Sequence, residues 1–311
     1  MLDHLIVQNY RLFKDLNIPK LGQVNLVTGK NNAGKSTLLE VIRIWASHGS
    51  VINHILLKRG DWELGKPERT YASLFPNRSF DHDHTIIKLN EVSINFKRSS
   101  GGIDISKLAV KDDQGDTNTI SFSDSYKDYI PDAVVFIPAS VDFDNTTLWN
   151  EIELTPREDD VKRILSIIVP DLIELRISTK GAKVRLKNSE IPAPLKNFGE
   201  GTNRLLMIAL ALVSAKGNIL LIDEIDLGLH YTVQEKLWEI IFQFAKEWNI
   251  QVFATTHSYD CLSAFSYVAN REIYKDMGIS LRLQKQKDNV IAVDYSPEEL
   301  EDAIAGNIET R

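Results

Sequence analysis

The segment GKNNAGKS at 29–36 fits the pattern G-x-x-x-x-G-K-[ST] in full. Glycines at 29 and 34 let the backbone curl tightly enough for its N–H groups to point inward, where they suit an anion. The helix expected to begin here adds partial positive charge at the same place. Lys35 offers a point charge to the outer phosphates of a nucleotide, and the Ser36 hydroxyl is an oxygen ligand for Mg²⁺. Lys30, Asn31, Asn32, Ala33 and Thr37 complete the expected ATP-binding loop with Gly29, Gly34, Lys35 and Ser36.

A second, distant segment carries the complementary chemistry. In NILLIDEIDLGLH at 218–230, an apolar run leads straight into Asp223 and Glu224. A strand apolar on both faces belongs inside a parallel sheet, and ligands gather at the carboxyl end of such strands. Asp223 there is placed to hold Mg²⁺ through water, and Glu224 to orient and deprotonate an attacking water. QVFATTHS at 251–258 reads as one more buried strand, ending at His257, which could donate a hydrogen bond to a terminal phosphate. Ser258 suits the N-cap of the helix that follows. In FGEGTNRLL at 198–206, two glycines precede a buried apolar helix that Thr202 or Asn203 could cap. That makes a second helix N-terminus suited to an anion, or simply a structural turn.

Alternating strand and helix patterns supply the frame for these groups. Leu2–Gln8 and Gln23–Val27 read as strands, and Leu38, Leu39, Ile42 and Trp45 recur at helical spacing after the loop. Residues 50–132 read as an antiparallel β insertion, with a hairpin signal in the turn-rich DDQGDT between apolar arms. Residues 155–215 read as a helical subdomain containing a hairpin that turns at Lys180–Gly181. Residues 216–311 return to strand and helix, closing with a hairpin over 279–295 and an acidic helix over Pro297–Ala305. With 1–49 as the phosphate-loop lobe, the four parts form one α/β domain over 1–311.

No apolar run reaches the ~18–20 residues that span a bilayer, and the N-terminus lacks the layout of a secretion signal. The single cysteine, Cys261, excludes an internal disulfide and fits a reducing, cytoplasmic setting. A net charge of −7 does not announce a nucleic-acid binder, although basic spots occur at Lys58–Arg59, Lys97–Arg98 and along Lys180, Lys183, Arg185 and Lys187. These spots read first as solvated faces. Arg11, close after the first strand, is a further candidate for nucleotide or DNA contact, and DHDH at 81–84 a weak metal candidate.

The chain resembles ABC-type ATPases of the SMC, RecF and OLD (overcoming-lysogenisation-defect) group. LIVQNYRLFKDLNI and NLVTGKNNAGKSTLLE resemble the group's opening strands and Walker A segment, LLIDEIDLGLH its Walker B and D-loop, and ATTHS its histidine switch. FGEGTNR stands at the position of the ABC signature. The likeness covers 1–48 and 195–270 and is greatest to stand-alone, OLD-like ATPases of bacterial defence systems. It implies an ABC-ATPase head fold: a mixed sheet around the phosphate-loop helix, an antiparallel flanking sheet and a small helical signature subdomain.

The resemblance also implies a homodimer, or a higher homo-oligomer, that sandwiches ATP. Gly199, Glu200, Gly201 and Thr202 would then act in trans, with Asp226 and His230 in the D-loop at the interface. Two departures stand out. FGEGT replaces LSGGQ, and Ile137–Asp142 holds no Q-loop glutamine, for which Gln114 is a poor substitute. With no heptad run for coiled-coil arms and no room for a Toprim domain, the expected role is sensor, regulator or scaffold beside a separate Toprim-type nuclease or other effector in phage defence. The alternatives are a RecF-like, DNA-binding repair ATPase and an ATP-gated, non-catalytic scaffold.

Overall fold

The structure is a computed structural model describing residues 1–47, 49–61, 67–79, 84–90, 92–99, 102–109, 119–122, 134–139, 145–199, 201–306 and 308–310. In chain order its elements are β1 (Leu5–Tyr10), β2 (Phe13–Ile18), β3 (Val24–Thr28), α1 (Lys35–Ala46), α2 (Ile52–Lys58), α3 (Pro67–Ala72), β4 (His84–Leu89), β5 (Val92–Ser99), β6 (Gly102–Ala109), β7 (Thr119–Phe122) and β8 (Val134–Ile137). There follow α4 (Asn145–Asn150), α5 (Arg157–Ser166), β9 (Leu172–Ser178), β10 (Gly181–Leu186), β11 (Ala193–Pro194), α6 (Thr202–Ser214), β12 (Ile219–Ile222) and α7 (Gln234–Trp248). The chain closes with β13 (Gln251–Thr255), α8 (Tyr259–Ala269), β14 (Gly278–Gln286), β15 (Asn289–Tyr295) and α9 (Pro297–Ala305).

The central sheet runs β15-β14-β3-β13-β12-β8, parallel throughout except where β15 turns back on β14. All five residues of β3 and of β13 are buried, as a parallel sheet covered on both faces requires. Alternation then sorts the side chains. Leu220, Ile222, Val252 and Ala254 join the core built with α5 to α8, whereas Leu221, Phe253 and Val27 join the core built with α1. That second core is closed by the antiparallel sheet β2-β1-β4-β5-β6-β7, so α1 lies between two sheets. A small sheet, β11-β10-β9, sits with α4, α5 and α6 in the signature region.

The mixed sheet around the phosphate-loop helix and the antiparallel flank are the architecture that the resemblance implied. Two local features were not expected. FKDLNI at 13–18 forms β2 and pairs back on β1, from Leu5↔Ile18 to Tyr10↔Phe13. Residues 50–132 also hold α2 and α3 before their strands; α2 buries Ile52, Ile55 and Leu56 at helical spacing, a signal too short to stand out from strand patterning. The apolar arms around DDQGDT pair as β6 and β7, while the turn itself lies outside the described residues, as does Gln114. Ser140–Asp142 and residues 81–83 of the DHDH segment also lie outside them.

Gly34 shows how closely the parts fit. Its φ is 104°, and a Cβ there would lie 2.8 Å from the Phe13 ring and 2.9 Å from Leu12 Cδ1. Gly34→Ala is expected to cost about 2–4 kcal/mol through left-handed strain and overpacking. A lower urea midpoint with an unchanged m-value checks this.

Candidate functional site

β3, β13 and β12 are parallel neighbours, so their carboxyl ends open on one crevice. β3 runs into the loop at Gly29, β12 into Asp223 and β13 into Thr256 and His257. The structure thereby brings together Lys35, Ser36, Asp223, Glu224 and His257.

The loop curls as its glycines allow. Gly29 has φ 139°, and a Cβ there would clash with the Leu283 carbonyl oxygen. Asn32 also adopts a positive φ, 61°, and Ala33 is buried beneath the loop. Thr37 is buried, while Asn31, Asn32 and Ser36 face solvent. The first-turn N–H groups of α1 have no partner within their own helix, which leaves them for an anion. Lys30 behaves differently: its ammonium pairs with Glu309 at 3.0 Å, and Glu309 also meets Arg282 at 3.2 Å. One residue on, the Thr310 carbonyl accepts from Thr28 Oγ1 at 2.7 Å. The tail therefore seals the outer edge of the loop, a contact no local motif could reveal.

Lys35 is buried and folded over its own loop. Its Nζ donates to the carbonyl oxygens of Gly29 at 2.7 Å and Lys30 at 3.2 Å, and to His257 Nδ1 at 3.2 Å. Desolvation lowers its pKa, against the opposing pull of Asp223 and Glu224. An ammonium has only donors, so Nδ1 of His257 accepts and a neutral ring carries its proton on Nε2. That nitrogen lies 3.9 Å from Glu224 Oε1. Ser36 Oγ donates to Asp223 Oδ1 at 3.1 Å, joining the first turn of α1 to the end of β12.

The acidic pair is held from both sides. Thr255 Oγ1 donates to Asp223 Oδ1 at 2.6 Å and accepts from the Glu224 N–H at 2.8 Å. Glu224 takes φ 48°, a left-handed backbone that costs a non-glycine residue about 1–3 kcal/mol and persists only where neighbours over-determine it. Arg204, buried in the first turn of α6, reaches across to do so. Its Nη2 donates to the carbonyls of Asp223 at 2.7 Å and Glu224 at 2.9 Å, and its Nη1 to Pro138 at 3.2 Å. Burial lowers the Arg204 pKa, against the attraction of Asp223, Asp226 and Glu224. Arg204→Ala is expected to lower stability by about 2–3 kcal/mol in urea unfolding, and Arg204→Lys to restore little of it, since one ammonium cannot reproduce a planar fork.

Gly201, in the FGEGT segment, sits against Gly228 and Leu229 of its own chain. A Cβ on Gly201 would lie 2.5 Å from Leu229 Cδ2, so this glycine permits the approach. Gly199 has φ 124° with open space around it. The capping expected from Thr202 or Asn203 is not formed: α6 has no side-chain N-cap, and Thr202 Oγ1 bonds the carbonyls of Leu195 at 3.0 Å and Gly199 at 2.7 Å. Its hydroxyl is spent within its own chain. Glu200 lies outside the described residues. Asp226 accepts from Thr256 Oγ1 at 2.5 Å, and exposed His230 caps the turn at Tyr231 through the Thr232 N–H. Ser258 caps α8 by accepting from the Cys261 N–H at 3.2 Å.

Arg11 does not reach the crevice. It pairs with Glu40 at 3.4 Å and Asp61 at 3.5 Å, and its Nε donates to the Tyr10 hydroxyl at 3.2 Å. Glu40, inside α1, also pairs with Arg59, which draws one of the basic spots inward; in the hairpin, Arg185 pairs with Glu174 at 2.5 Å. Thr255, and the hold of Arg204 on residues 223 and 224, are what motif reading passed over. Thr255 stands in ATTHS two places before His257, but nothing local marks either side chain as a partner of residues 223 and 224.

A divalent ion fits the donors present. A hydroxyl and a carboxylate facing each other at the phosphate loop are hard oxygen ligands, of the kind that serve an ion completed by water and phosphate. Among the described residues no helix is long and apolar enough to cross a membrane.

Residues 1–168 match the family described as "AAA ATPase domain", and 155–262 match "AAA domain, putative AbiEii toxin, Type IV TA system". A Helicobacter pylori protein named "ATP/GTP phosphatase" is 20% identical over an alignment covering 97% of both chains. "Uncharacterized protein MJECL10" of Methanocaldococcus jannaschii is 28% identical over 36% of this chain and 53% of its own length. The fold is similar to the SMC head domain from Thermotoga maritima, with a TM-score of 0.54, 12% identity and coverage of 94% of this chain and 98% of that one. It is also similar to an SmcHead bound to the C-winged helix domain of ScpA, with a TM-score of 0.56, 13% identity and coverage of 98% and 99%. The chain accordingly belongs to the AAA ATPase domain family and has the fold of SMC head domains.

Proposed function

We propose that this ATPase is a nucleotide-gated switch: two copies close on ATP and Mg²⁺, and a separate effector reads the closed state. The observation that carries the site reading is the 3.1 Å contact between Ser36 Oγ and Asp223 Oδ1, which joins two distant motifs at one point. Lys35 leaves the loop carbonyls and His257 for the outer phosphates, where its charge is better matched. Ser36 and Asp223 would hold the ion, which when bound would neutralise charge on the phosphates. Glu224 takes a proton from the attacking water as its oxygen bonds to the γ-phosphorus and the bond to ADP breaks. His257, released by Lys35, donates Nε2–H to the γ-phosphate while this happens.

In the closed pair, Gly199, Glu200, Gly201 and Thr202 approach the partner's ATP, and Asp226 and His230 lie at the interface. Because the Thr202 hydroxyl is committed to its own chain, the contact falls to backbone N–H groups at the start of α6. The leading effector class, on the OLD-like resemblance, is a Toprim-type nuclease acting in phage defence. Co-expression of Glu224→Gln with the neighbouring gene product, followed by light scattering with ATP or ADP, tests this. The expected result is a dimer with ATP that retains the nuclease. A chain monomeric in both nucleotides, or a nuclease retained in neither, overturns it. A RecF-like reading draws on exposed Lys180, Lys183 and Lys187 in one hairpin, and calls for DNA binding that weakens steeply with salt.

A further inference from the structure

Thr255 ends β13 and is fully buried, with no contact to solvent for its hydroxyl. It touches three successive residues of the Walker B turn. Its backbone carbonyl accepts from the Ile225 N–H at 2.9 Å, and its Oγ1 bonds both Asp223 and Glu224. The direction of each bond is forced. A backbone N–H can only donate, so Oγ1 accepts from Glu224; an ionised carboxylate can only accept, so the single hydroxyl proton goes to Asp223 Oδ1. One oxygen therefore sets the rotation of the Asp223 carboxylate and pins the amide of Glu224, whose left-handed backbone needs such a hold.

Ser36 shares Oδ1 of Asp223 with Thr255, at 3.1 Å against 2.6 Å. When Ser36 turns to an ion, the Thr255 bond is the one that keeps the carboxylate in place. We propose that Thr255 is a positioning residue for hydrolysis, aligning Asp223 for the divalent ion and Glu224 for the attacking water. This rests on the reading of Ser36, Asp223 and Glu224 as the metal and water site. Valine matches the shape of threonine but can make neither bond, and serine can make both.

The test compares Thr255→Val and Thr255→Ser in the full chain. It follows a slowly hydrolysed ATP analogue as Mg²⁺ is titrated, the same analogue in excess EDTA, and kcat with KM. In the valine variant the Mg²⁺ needed for half-maximal binding is expected to rise about tenfold and kcat to fall about 10- to 100-fold. Affinity in EDTA stays within about twofold, because the group acts through the ion and the water. Serine is expected to stay within about threefold of the parent in each measurement. A valine variant with the parent's Mg²⁺ dependence and kcat overturns the proposal, as does a serine variant as impaired as valine. Should valine not fold, Thr255→Ser against Thr255→Ala carries the same comparison, since both lack the methyl and differ by the hydroxyl. A parent chain that binds the analogue without any Mg²⁺ dependence sinks the site reading itself, whereas a parent that responds to Mg²⁺ beside an unaffected valine variant sinks only the role of Thr255.

Discussion

Glu224→Gln is expected to cut steady-state ATP hydrolysis by about 10²- to 10⁴-fold while ATP affinity stays within a few-fold. Glutamine has the size of glutamate and can occupy the same left-handed backbone, held by the Thr255 hydroxyl and the Arg204 guanidinium. What it lacks is a carboxylate to take the proton from water. Lys35, Ser36 and Asp223 are untouched, so the phosphates and the ion keep their ligands. Phosphate release together with binding of a fluorescent ATP analogue reads both quantities. A variant that hydrolyses at the parent rate removes Glu224 as general base; one that loses binding along with hydrolysis shows that Glu224 holds the turn together rather than acting on water. If the closed dimer forms before hydrolysis, the same variant accumulates it with ATP.

Lys35→Ala is expected to weaken ATP binding by about 2–5 kcal/mol, because the triphosphate then enters a buried site without its cation. The ammonium is already desolvated, which is why its pKa is lowered, and it is anchored on Gly29 and Lys30 carbonyls that a phosphate oxygen can replace. Isothermal titration with ATP and Mg²⁺ gives the loss, and the ATP-induced rise in melting temperature should shrink with it. Lys35→Arg is not expected to rescue binding, since the crevice between the loop and His257 is shaped for a compact point charge. An alanine variant that holds nucleotide as firmly as the parent contradicts the assignment of 29–37 to phosphate binding.

The fold was legible where one period ran long enough. The continuous apolar runs of β3, β12 and β13 and the helical spacing of α1 and α7 were readable because burial on both faces, or along one stripe, leaves a pattern in composition. β2 and α2 were not: six polar-alternating residues and seven residues of helix carry too little period, and their state was settled by the surfaces they cover. The loop at Gly29–Ser36 and the acidic pair were readable for a different reason. Tight backbone curvature, anion binding and metal ligation each demand particular residue types at particular spacings, so the chemistry is written locally.

What the sequence by itself determined is therefore a phosphate loop, an acidic strand end and the α/β frame that carries them. Only the tertiary structure decided who steadies whom. Sheet order put β13 between β3 and β12, which turned Thr255 toward residues 223 and 224 and His257 toward Lys35. Packing of α6 sent Arg204 to the same turn and took the Thr202 hydroxyl out of play, while Glu40 in α1 drew Arg11 into the interior. The physical reason is range. Motifs record what a residue does to its neighbours along the chain, but a buried donor or charge must be satisfied by whatever the fold brings within about 3 Å, and those partners come from strands and helices far away in sequence.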